Sequence, residues 1–187
     1  ALTSKRTLLG LDSFETLNIN SSGNNFLELG LNPPMDVIVT GGAATDLLKI
    51  NSSGGVLDAS AFNGELVANA SAAVDVTGGA GADNISGSGS NDTIDGGAGL
   101  DLLGGGGGAD QFHFSDALGS GADLILDFAS GDDGIYLDSS IFASLGALGT
   151  LSAGNFVSAA DVDDAGLASH AYILYDTNTG ALYYDAT

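Results

Sequence analysis

The sequence contains no cysteine among its 187 residues. A disulfide framework and a thiolate metal site are therefore both excluded. The lack of cysteine does not exclude an extracellular location, because it removes only one of the ways in which exported proteins are stabilised. If the chain is exported, something other than disulfides must hold it folded.

Basic residues are almost as scarce. The chain has 3 lysines and arginines against 24 aspartates and glutamates, which gives a formal charge of −21. Lys5, Arg6 and Lys49 all lie in the first third. Such a chain repels nucleic acid and anionic membranes, so we expect neither as a partner. The natural counter-charge for it is a metal ion.

Long apolar runs are also missing. No run approaches the roughly 18 residues that a membrane-spanning helix needs. The first residues, 1–11, contain no signal-peptide core. We therefore expect no membrane span, and we expect the chain to be a piece of a longer protein.

The acidic residues are biased in type. Only Glu15, Glu28 and Glu65 are glutamates, and every other acidic residue is aspartate. Aspartate favours turns and oxygen-ligand loops for hard cations, whereas a helical surface would favour glutamate. Hydrophobic residues make up 44% of the chain and the acids are spaced along it. This composition indicates a folded protein with acidic turns.

Four consecutive nonapeptides follow one another from Gly78 to His113, beginning GGAGADNIS and GSGSNDTID. Their sixth position is always aspartate and their eighth is always large and apolar. The aspartates are Asp83, Asp92, Asp101 and Asp110, and the apolar residues are Ile85, Ile94, Leu103 and Phe112. The alternative of a flexible glycine linker, most plausible at 104–108, does not explain aspartate and an apolar residue at fixed phase.

A weaker rhythm of nine or ten residues extends upstream. Its apolar centres recur near Leu17, Leu27, Val37, Leu47, Leu57, Leu66 and Val76. Each lies in a short β-favouring stretch bounded by Asn, Ser and Gly turns. The segment 41–49, GGAATDLLK, resembles a degenerate nonapeptide. Two strands and two turns would make one coil of about 18–20 residues in a parallel β-solenoid.

The rhythm breaks after Phe114. The segment GSGADLILDF places Asp123 at the end of one more Gly-x-Gly-x-Asp. Further on, residues 170–186 read as two β-rich strands around an Asn/Gly turn, which predicts a hairpin. We interpret it as a cap over the open end of the solenoid. The predicted division is degenerate coils over 1–77, a calcium-binding β-roll over 78–114 and a cap or secretion-associated region over 115–187.

The nonapeptide suits calcium. Its first six residues form a turn in which glycines with positive φ bring carbonyls together, and its last residues form a strand. Calcium takes six to eight oxygens at about 2.3–2.6 Å. Repeats two apart stack on the same edge, so we expect Asp83 to face Asp101 across one ion and Asp92 to face Asp110 across another. We also expect this segment to be unfolded in chelator.

Other sites are weaker. Neither a Gly-x-Ser-x-Gly elbow nor a His-Glu-x-x-His motif is present, so we predict that the chain is not an enzyme. His113 and His170 are interpreted as structural. An EF-hand at 161–166 fails at Ala165 and Tyr172, where ligands are required. Additional calcium candidates follow the last repeat, and these are Asp123, Asp127, Asp132 and Asp133.

The repeats and their closing GADQFHF resemble the RTX (repeats-in-toxin, hemolysin-type) calcium-binding family. The resemblance implies that each ion takes carbonyls from positions two and four of one repeat and from positions one and three of the repeat two further on, together with both aspartates. One implied site is Gly79, Gly81, Asp83, Gly96, Ala98 and Asp101. The other is Ser88, Ser90, Asp92, Gly105, Gly107 and Asp110, with serine where the family has glycine. The resemblance also implies export by a bacterial type I ABC-transporter machinery, with an export signal that we expect to be incomplete here.

The Asn-, Ser- and Thr-rich coils of residues 1–77 resemble those of bacterial surface-layer proteins and large adhesins. The prediction is therefore an all-β, right-handed parallel β-roll with a capping hairpin, located outside the cell or on its surface. Its function would be structural: it folds on calcium after export and can self-associate at the cell surface. The alternative is the calcium-dependent C-terminal module of a secreted protease, lipase or toxin. The sequence that precedes Ala1 in the parent would discriminate between them.

Overall fold

A computed structural model describes residues 15–19, 23, 25–31, 34–117, 123–143, 156–159, 172–176, 178 and 182–185. The regular elements in these ranges are strands. They are β1 (Glu15–Ile19), β2 (Phe26–Leu31), β3 (Val37–Gly41), β4 (Leu47–Ser52), β5 (Gly55–Phe62), β6 (Glu65–Ala70), β7 (Val74–Thr77), β8 (Asn84–Ser88), β9 (Thr93–Asp95), β10 (Leu102–Gly106), β11 (Gln111–Phe114), β12 (Leu124–Ile125), β13 (Gly134–Leu137), β14 (Phe156–Ala159), β15 (Tyr172–Asp176) and β16 (Leu182–Asp185).

Two parallel sheets form the body of the molecule. The odd-numbered strands make a seven-stranded sheet in the order β1-β3-β5-β7-β9-β11-β13, and the even-numbered strands make a six-stranded sheet in the order β12-β10-β8-β6-β4-β2. Successive strands thus alternate between the sheets, and each coil adds one strand to both. The molecule is a β-solenoid of about six turns, which confirms the predicted fold class.

Inward-facing apolar residues stack in columns because strands pair in register. In one column Ile50 pairs with Ala68, which pairs with Ile85, which pairs with Leu103. Each of the four large apolar residues at the eighth repeat position is fully buried, as the pattern predicted. These are Ile85, Ile94, Leu103 and Phe112.

The weaker upstream rhythm also corresponds to strands. All seven predicted apolar centres, from Leu17 to Val76, lie within β1 to β7. In β4, however, the buried side chains are Leu48 and Ile50, whereas Leu47 is only partly buried. The predicted centre is thus off by one residue there, and because side chains alternate in a strand, that residue faces the other way.

The roll continues beyond the last nonapeptide. Strands β12 and β13 pair in parallel with β10 and β11 and extend both sheets after longer connections. A third sheet has the order β14-β15-β16, and the antiparallel pair β15 and β16 is the predicted hairpin. Its capping role, the handedness of the roll and the three-part division of the chain remain predictions. In the described ranges no helix is both long and apolar enough to cross a membrane.

Candidate metal centre

The four repeat aspartates each lie directly before a strand. Asp83 and Asp101 precede β8 and β10 at one edge of the roll, and Asp92 and Asp110 precede β9 and β11 at the other. All four side chains are buried, with 1–2% of their surface exposed. Burying a carboxylate is costly unless hydrogen bonds or a counter-charge compensate it. The partners of these groups therefore decide what the turns can do.

At the first edge the carboxylates form a ladder along the roll. The N–H of Leu66 donates to Oδ1 of Asp83 at 2.8 Å. The N–H of Asp83 donates to Oδ1 of Asp101 at 2.8 Å, and the N–H of Asp101 donates to Oδ1 of Asp123 at 3.0 Å. We call Asp83, Asp101 and Asp123 the first ladder. Each carboxylate reaches back to the coil before it.

The second edge repeats the arrangement. The N–H of Val74 donates to Oδ1 of Asp92 at 2.8 Å. The N–H of Asp92 donates to Oδ1 of Asp110 at 2.9 Å, and the N–H of Asp110 donates to Oδ1 of Asp133 at 3.0 Å. We call Asp92, Asp110 and Asp133 the second ladder. The two edges are therefore equivalent, and each presents three aspartates one coil apart.

The second carboxylate oxygens are less uniformly satisfied. Oδ2 of Asp83 accepts the N–H of Gly79 at 2.8 Å. Oδ2 of Asp92 accepts the N–H of Ser88 at 2.6 Å. Oδ2 of Asp101 is buried yet has no hydrogen-bond partner within the described part of the chain. Carboxylate oxygens hold more than one lone pair, so all of them can also bind a cation, and the one on Asp101 needs a partner.

Backbone carbonyls crowd the same turns because glycine allows close approach. Gly97 has φ +81°, and a Cβ there would collide with the carbonyl oxygen of Gly79. Gly106 has φ +92°, and a Cβ there would collide with the carbonyl oxygen of Ser88. A side chain at either position would thus be strained and would fill the space between the turns. Successive turns bring oxygen atoms together, as calcium requires.

The structure brings together the residues predicted for each site. For the first site, Ala98 N–H donates to the Gly79 carbonyl at 2.8 Å. The Gly81 carbonyl lies against Gly99, and the Gly96 carbonyl against Gly78. For the second site, Gly107 N–H donates to the Ser88 carbonyl at 2.9 Å. The carbonyl of Ser90 lies against Gly108 and that of Gly105 against Gly87. Ligation by these atoms remains a prediction.

Serine in place of glycine adds bonds to the second site. The Ser88 hydroxyl donates to Oδ2 of Asp92 at 3.1 Å and accepts the N–H of Ser90 at 3.1 Å. The side chain therefore ties the turn to its own aspartate, and the backbone carbonyl of Ser88 still faces the next coil.

Burial raises the pKa of these carboxyl groups. The pKa of Asp83 is raised to about 6 by burial, against the hydrogen bonds from Leu66 and Gly79. The pKa of Asp101 is raised to about 8, first by burial and then by the negative charges of Asp123 and Asp83, against the hydrogen bond from Asp83 N–H. Burial also raises the pKa of Asp123. An oxygen-only donor set with uncompensated negative charge fits a hard divalent cation such as calcium.

Two aspartates after the last repeat, which the sequence indicated only as candidate calcium ligands, hold backbone N–H groups of the repeats. Asp133 completes the second ladder, although 23 residues separate it from Asp110. Asp127 accepts the N–H groups of Gly105 and Gly106 at 2.9 and 2.8 Å. Asp132 is exposed. The sequence signal was the continued Asp-rich run, but the longer connections hid which aspartate takes which position.

The segment GGAATDLLK resembles a nonapeptide, but its aspartate is not aligned with the aspartates of the first ladder. Leu48 pairs with Leu66 and is therefore the residue in line with that ladder, whereas Asp46 lies two positions earlier. Asp46 accepts the N–H and the side-chain amide of Asn25 and the N–H of Ala43. This turn satisfies its aspartate with hydrogen bonds.

The described residues hold no group of three His, Asp or Glu side chains arranged around a metal. A site of two aspartates and backbone carbonyls is of a different kind, and it remains a prediction. His113 stacks on Tyr136 with ring centroids 4.9 Å apart. His170 and the loop 161–166 lie outside the described residues.

Two parallel sheets joined by glycine-rich turns, with an aspartate ladder along each edge, define a parallel β-roll whose turns gather carboxylate and carbonyl oxygens. Residues 77–112 match the family model of the RTX calcium-binding nonapeptide repeat in four copies. Such repeats are known to bind calcium, are characteristic of secreted proteins and imply a calcium-binding module of a type I-secreted protein. The resemblance of the first third to surface-layer proteins is not confirmed. Comparisons with curated proteins and with solved structures give no significant match.

Proposed function

We propose that this chain is a structural, non-catalytic part of a type I-secreted bacterial surface protein, and that calcium outside the cell folds it. The observation that carries the proposal is the first ladder. There Asp101 is 1% exposed, lies between Asp83 and Asp123, and has an oxygen without a hydrogen-bond partner among the described residues. Carboxylates that are buried side by side repel one another, so they must either take up a proton or hold a cation between them.

Two ions are assigned to the two predicted sites. Bound calcium supplies positive charge and cross-links successive turns through oxygen atoms. The chain contributes both aspartates of each pair, the surrounding carbonyls and the glycines that let the turns approach. Because Asp123 and Asp133 continue the two ladders, the gaps from Asp101 to Asp123 and from Asp110 to Asp133 are candidates for further ions.

Calcium dependence suits export. Extracellular calcium-binding modules work at about 10⁻⁴–10⁻³ M, far above cytosolic levels, so the repeats stay unfolded until the chain leaves the cell. Repeats that are unfolded in the cytosol can enter a type I ABC-transporter channel as an extended chain. Folding on arrival then stiffens the exported protein.

Within this function a surface-layer or adhesin role is favoured over an enzyme tail. The coils of residues 15–77 share both sheets with the repeats, so the roll is longer than the calcium segment alone. A long, rigid rod is a structural element, and self-association would use it as a lattice or stalk. A secreted enzyme's tail would need only the repeats.

Isothermal titration with calcium on the wild type, Asp101→Asn and Asp132→Asn tests the binding part. Asp132 is the matched control, because it is exposed and outside both ladders. We expect at least two ions per wild-type chain, weaker binding only for Asp101→Asn, and no binding change for Asp132→Asn. Equal binding by all three proteins would contradict the assignment.

Light scattering and electron microscopy of the calcium-loaded chain test the surface role. Ordered assembly that reverses in chelator supports a surface layer or adhesin. A chain that stays monomeric at all calcium concentrations supports the enzyme-tail alternative.

A further inference from the structure

The coils before the repeats carry apolar residues where the repeats carry aspartate. At the first edge Leu48 and Leu66 pair with each other, and the N–H of Leu66 holds Asp83 just as the N–H of Asp83 holds Asp101. At the second edge Val74 holds Asp92 in the same way. Leu48 and Leu66 are fully buried and Val74 is 6% exposed. Both ladders thus begin on an apolar residue.

The turns of these coils are closed by hydrogen bonds. The Ser52 hydroxyl donates to the Gly54 carbonyl at 2.7 Å and accepts the Gly54 N–H at 3.1 Å. The hydroxyl of Ser53 donates to the Leu31 carbonyl at 3.0 Å, and that of Ser71 to the Ser52 carbonyl at 3.3 Å. At this edge serine hydroxyls therefore link neighbouring turns by hydrogen bonds, whereas the aspartate ladders link the coils of the repeats.

At the other edge a phenyl ring fills the space between turns. Phe62 is fully buried, and Cβ atoms on Gly42 and Gly64 would meet its ring. In the turn before it, the carboxylate of Asp46 accepts hydrogen bonds from the N–H groups of Asn25 and Ala43. These two turns are thus stabilised by a buried ring and by hydrogen bonds to a single carboxylate, with no second ladder aspartate facing it.

The same coils also hold most of the core. Among the described residues, fourteen buried apolar core residues lie from Leu29 to Val76, and five lie from Ile85 to Ile125. Strand β5 has 8 residues, whereas β9 has 3. Apolar burial is the dominant favourable contribution to folding, so residues 37–77 gain more of this stabilisation than the repeats do.

The first repeat turn docks directly on this block. Ala80 N–H donates to the Phe62 carbonyl at 2.9 Å, and Oδ1 of Asp83 accepts from Leu66. The first aspartate of each ladder is thus placed by a coil that contains no ladder aspartate. Every later aspartate is placed by another aspartate of its own ladder.

We propose that residues 37–77 fold without calcium and act as the template on which the calcium-binding repeats order, one coil at a time, away from the block. This inference rests on the proposed calcium function. It deepens that function by giving calcium-driven folding a starting point and a direction. A preformed block spares the first repeat the cost of nucleating a sheet.

Hydrogen exchange read by mass spectrometry on the full chain tests the template. In chelator we expect amides of β4 to β6 to be protected and those of β8 to β11 to exchange freely, and in millimolar calcium both to be protected. If both halves exchange freely in chelator, this inference is overturned and the calcium function stands. If both are protected in chelator, the proposed function is overturned and this inference with it.

A variant pair tests the coupling. Leu48→Ala weakens the block without touching a ladder aspartate, and Val56→Ala, with 42% of its side chain exposed, is the control. We expect Leu48→Ala to raise the calcium concentration that half-protects β8 to β11 by about threefold or more, because calcium must then also restore the template. The control should not move it. An unchanged midpoint in Leu48→Ala would overturn the coupling, and the wild-type comparison decides the folding order even if this variant does not fold.

Discussion

The N–H of Asp83 donates to Oδ1 of Asp101 at 2.8 Å, from one coil to the next across 18 residues of chain. The same bond recurs from Asp101 to Asp123 at 3.0 Å. Each aspartate therefore fixes the coil before it and is itself fixed by the one after. Replacing a single ladder aspartate should therefore also destabilise the neighbouring coils at the same edge.

Asp101→Asn removes one charge from the middle of the first ladder. Because a hydrogen bond or ligand contact to a charged group contributes about 1.5–3 kcal/mol, we expect calcium affinity to fall roughly tenfold or more. In chelator the same change should leave the urea midpoint unchanged, because the repeats that contain Asp101 are then unfolded. Urea denaturation with and without calcium measures both effects. Loss of stability in chelator as large as that in calcium would argue against a cation role.

Gly97→Ala should destabilise the calcium-loaded protein by about 1 kcal/mol or more, because of its positive φ and the collision with the Gly79 carbonyl. Gly89→Ala is the matched control, because nothing lies within 4 Å of a Cβ placed there. The urea midpoints of the two variants in saturating calcium are compared. Equal midpoints would show that the turns do not pack as described.

Protons and calcium should compete for the first ladder. The folded-state pKa values of Asp83, about 6, and Asp101, about 8, lie above the ordinary value of 3.8. Groups with raised carboxyl pKa values favour folding below the ordinary value, and this contribution is lost as pH rises through the folded values. In calcium-free solution, prepared by dialysis, the repeats should therefore be better ordered near pH 4 than at pH 8.5.

With calcium present the dependence reverses, because ligation requires the ionised form. The calcium midpoint should fall as pH rises from about 5 to about 8. Circular dichroism at several pH values follows both series. A calcium midpoint that does not change with pH would contradict the raised pKa values.

Phe112→Ala should cost about 3–5 kcal/mol in calcium, because the ring is fully buried and also packs against Phe128. Val56→Ala serves again as the exposed control. Urea denaturation in saturating calcium reports the difference. A cost below about 1 kcal/mol would mean that Phe112 is not part of the packed core of the calcium-loaded roll.

The repeats could be predicted in detail because the nine-residue period of the sequence equals half a coil of the roll. The eighth-position residues Ile85 and Leu103 must therefore stack in one sheet, and Ile94 and Phe112 in the other. The same phase puts the sixth-position aspartates at the two edges. Spacing alone therefore gave the sheet alternation and the pairs of aspartates.

The remainder depended on register that spacing does not determine. Asp46 looked like a sixth-position aspartate, but burial of Leu48 and Ile50 against Leu66 and Ala68 sets the pairing and moves it out of the column. Asp133 was among the calcium candidates, but the longer connection before β13 hid that it takes the next position of the second ladder. In both cases the apolar contacts of neighbouring coils decide the alignment, and these contacts are long-range in sequence.

The measurement that tests calcium-driven folding most directly is the exchange protection of the amides of β8 to β11 across a calcium titration of the wild-type chain. Ladder assembly predicts that protection is absent in chelator, rises cooperatively at millimolar calcium and disappears when chelator is added back. Protection of these strands that is the same with and without calcium would contradict it.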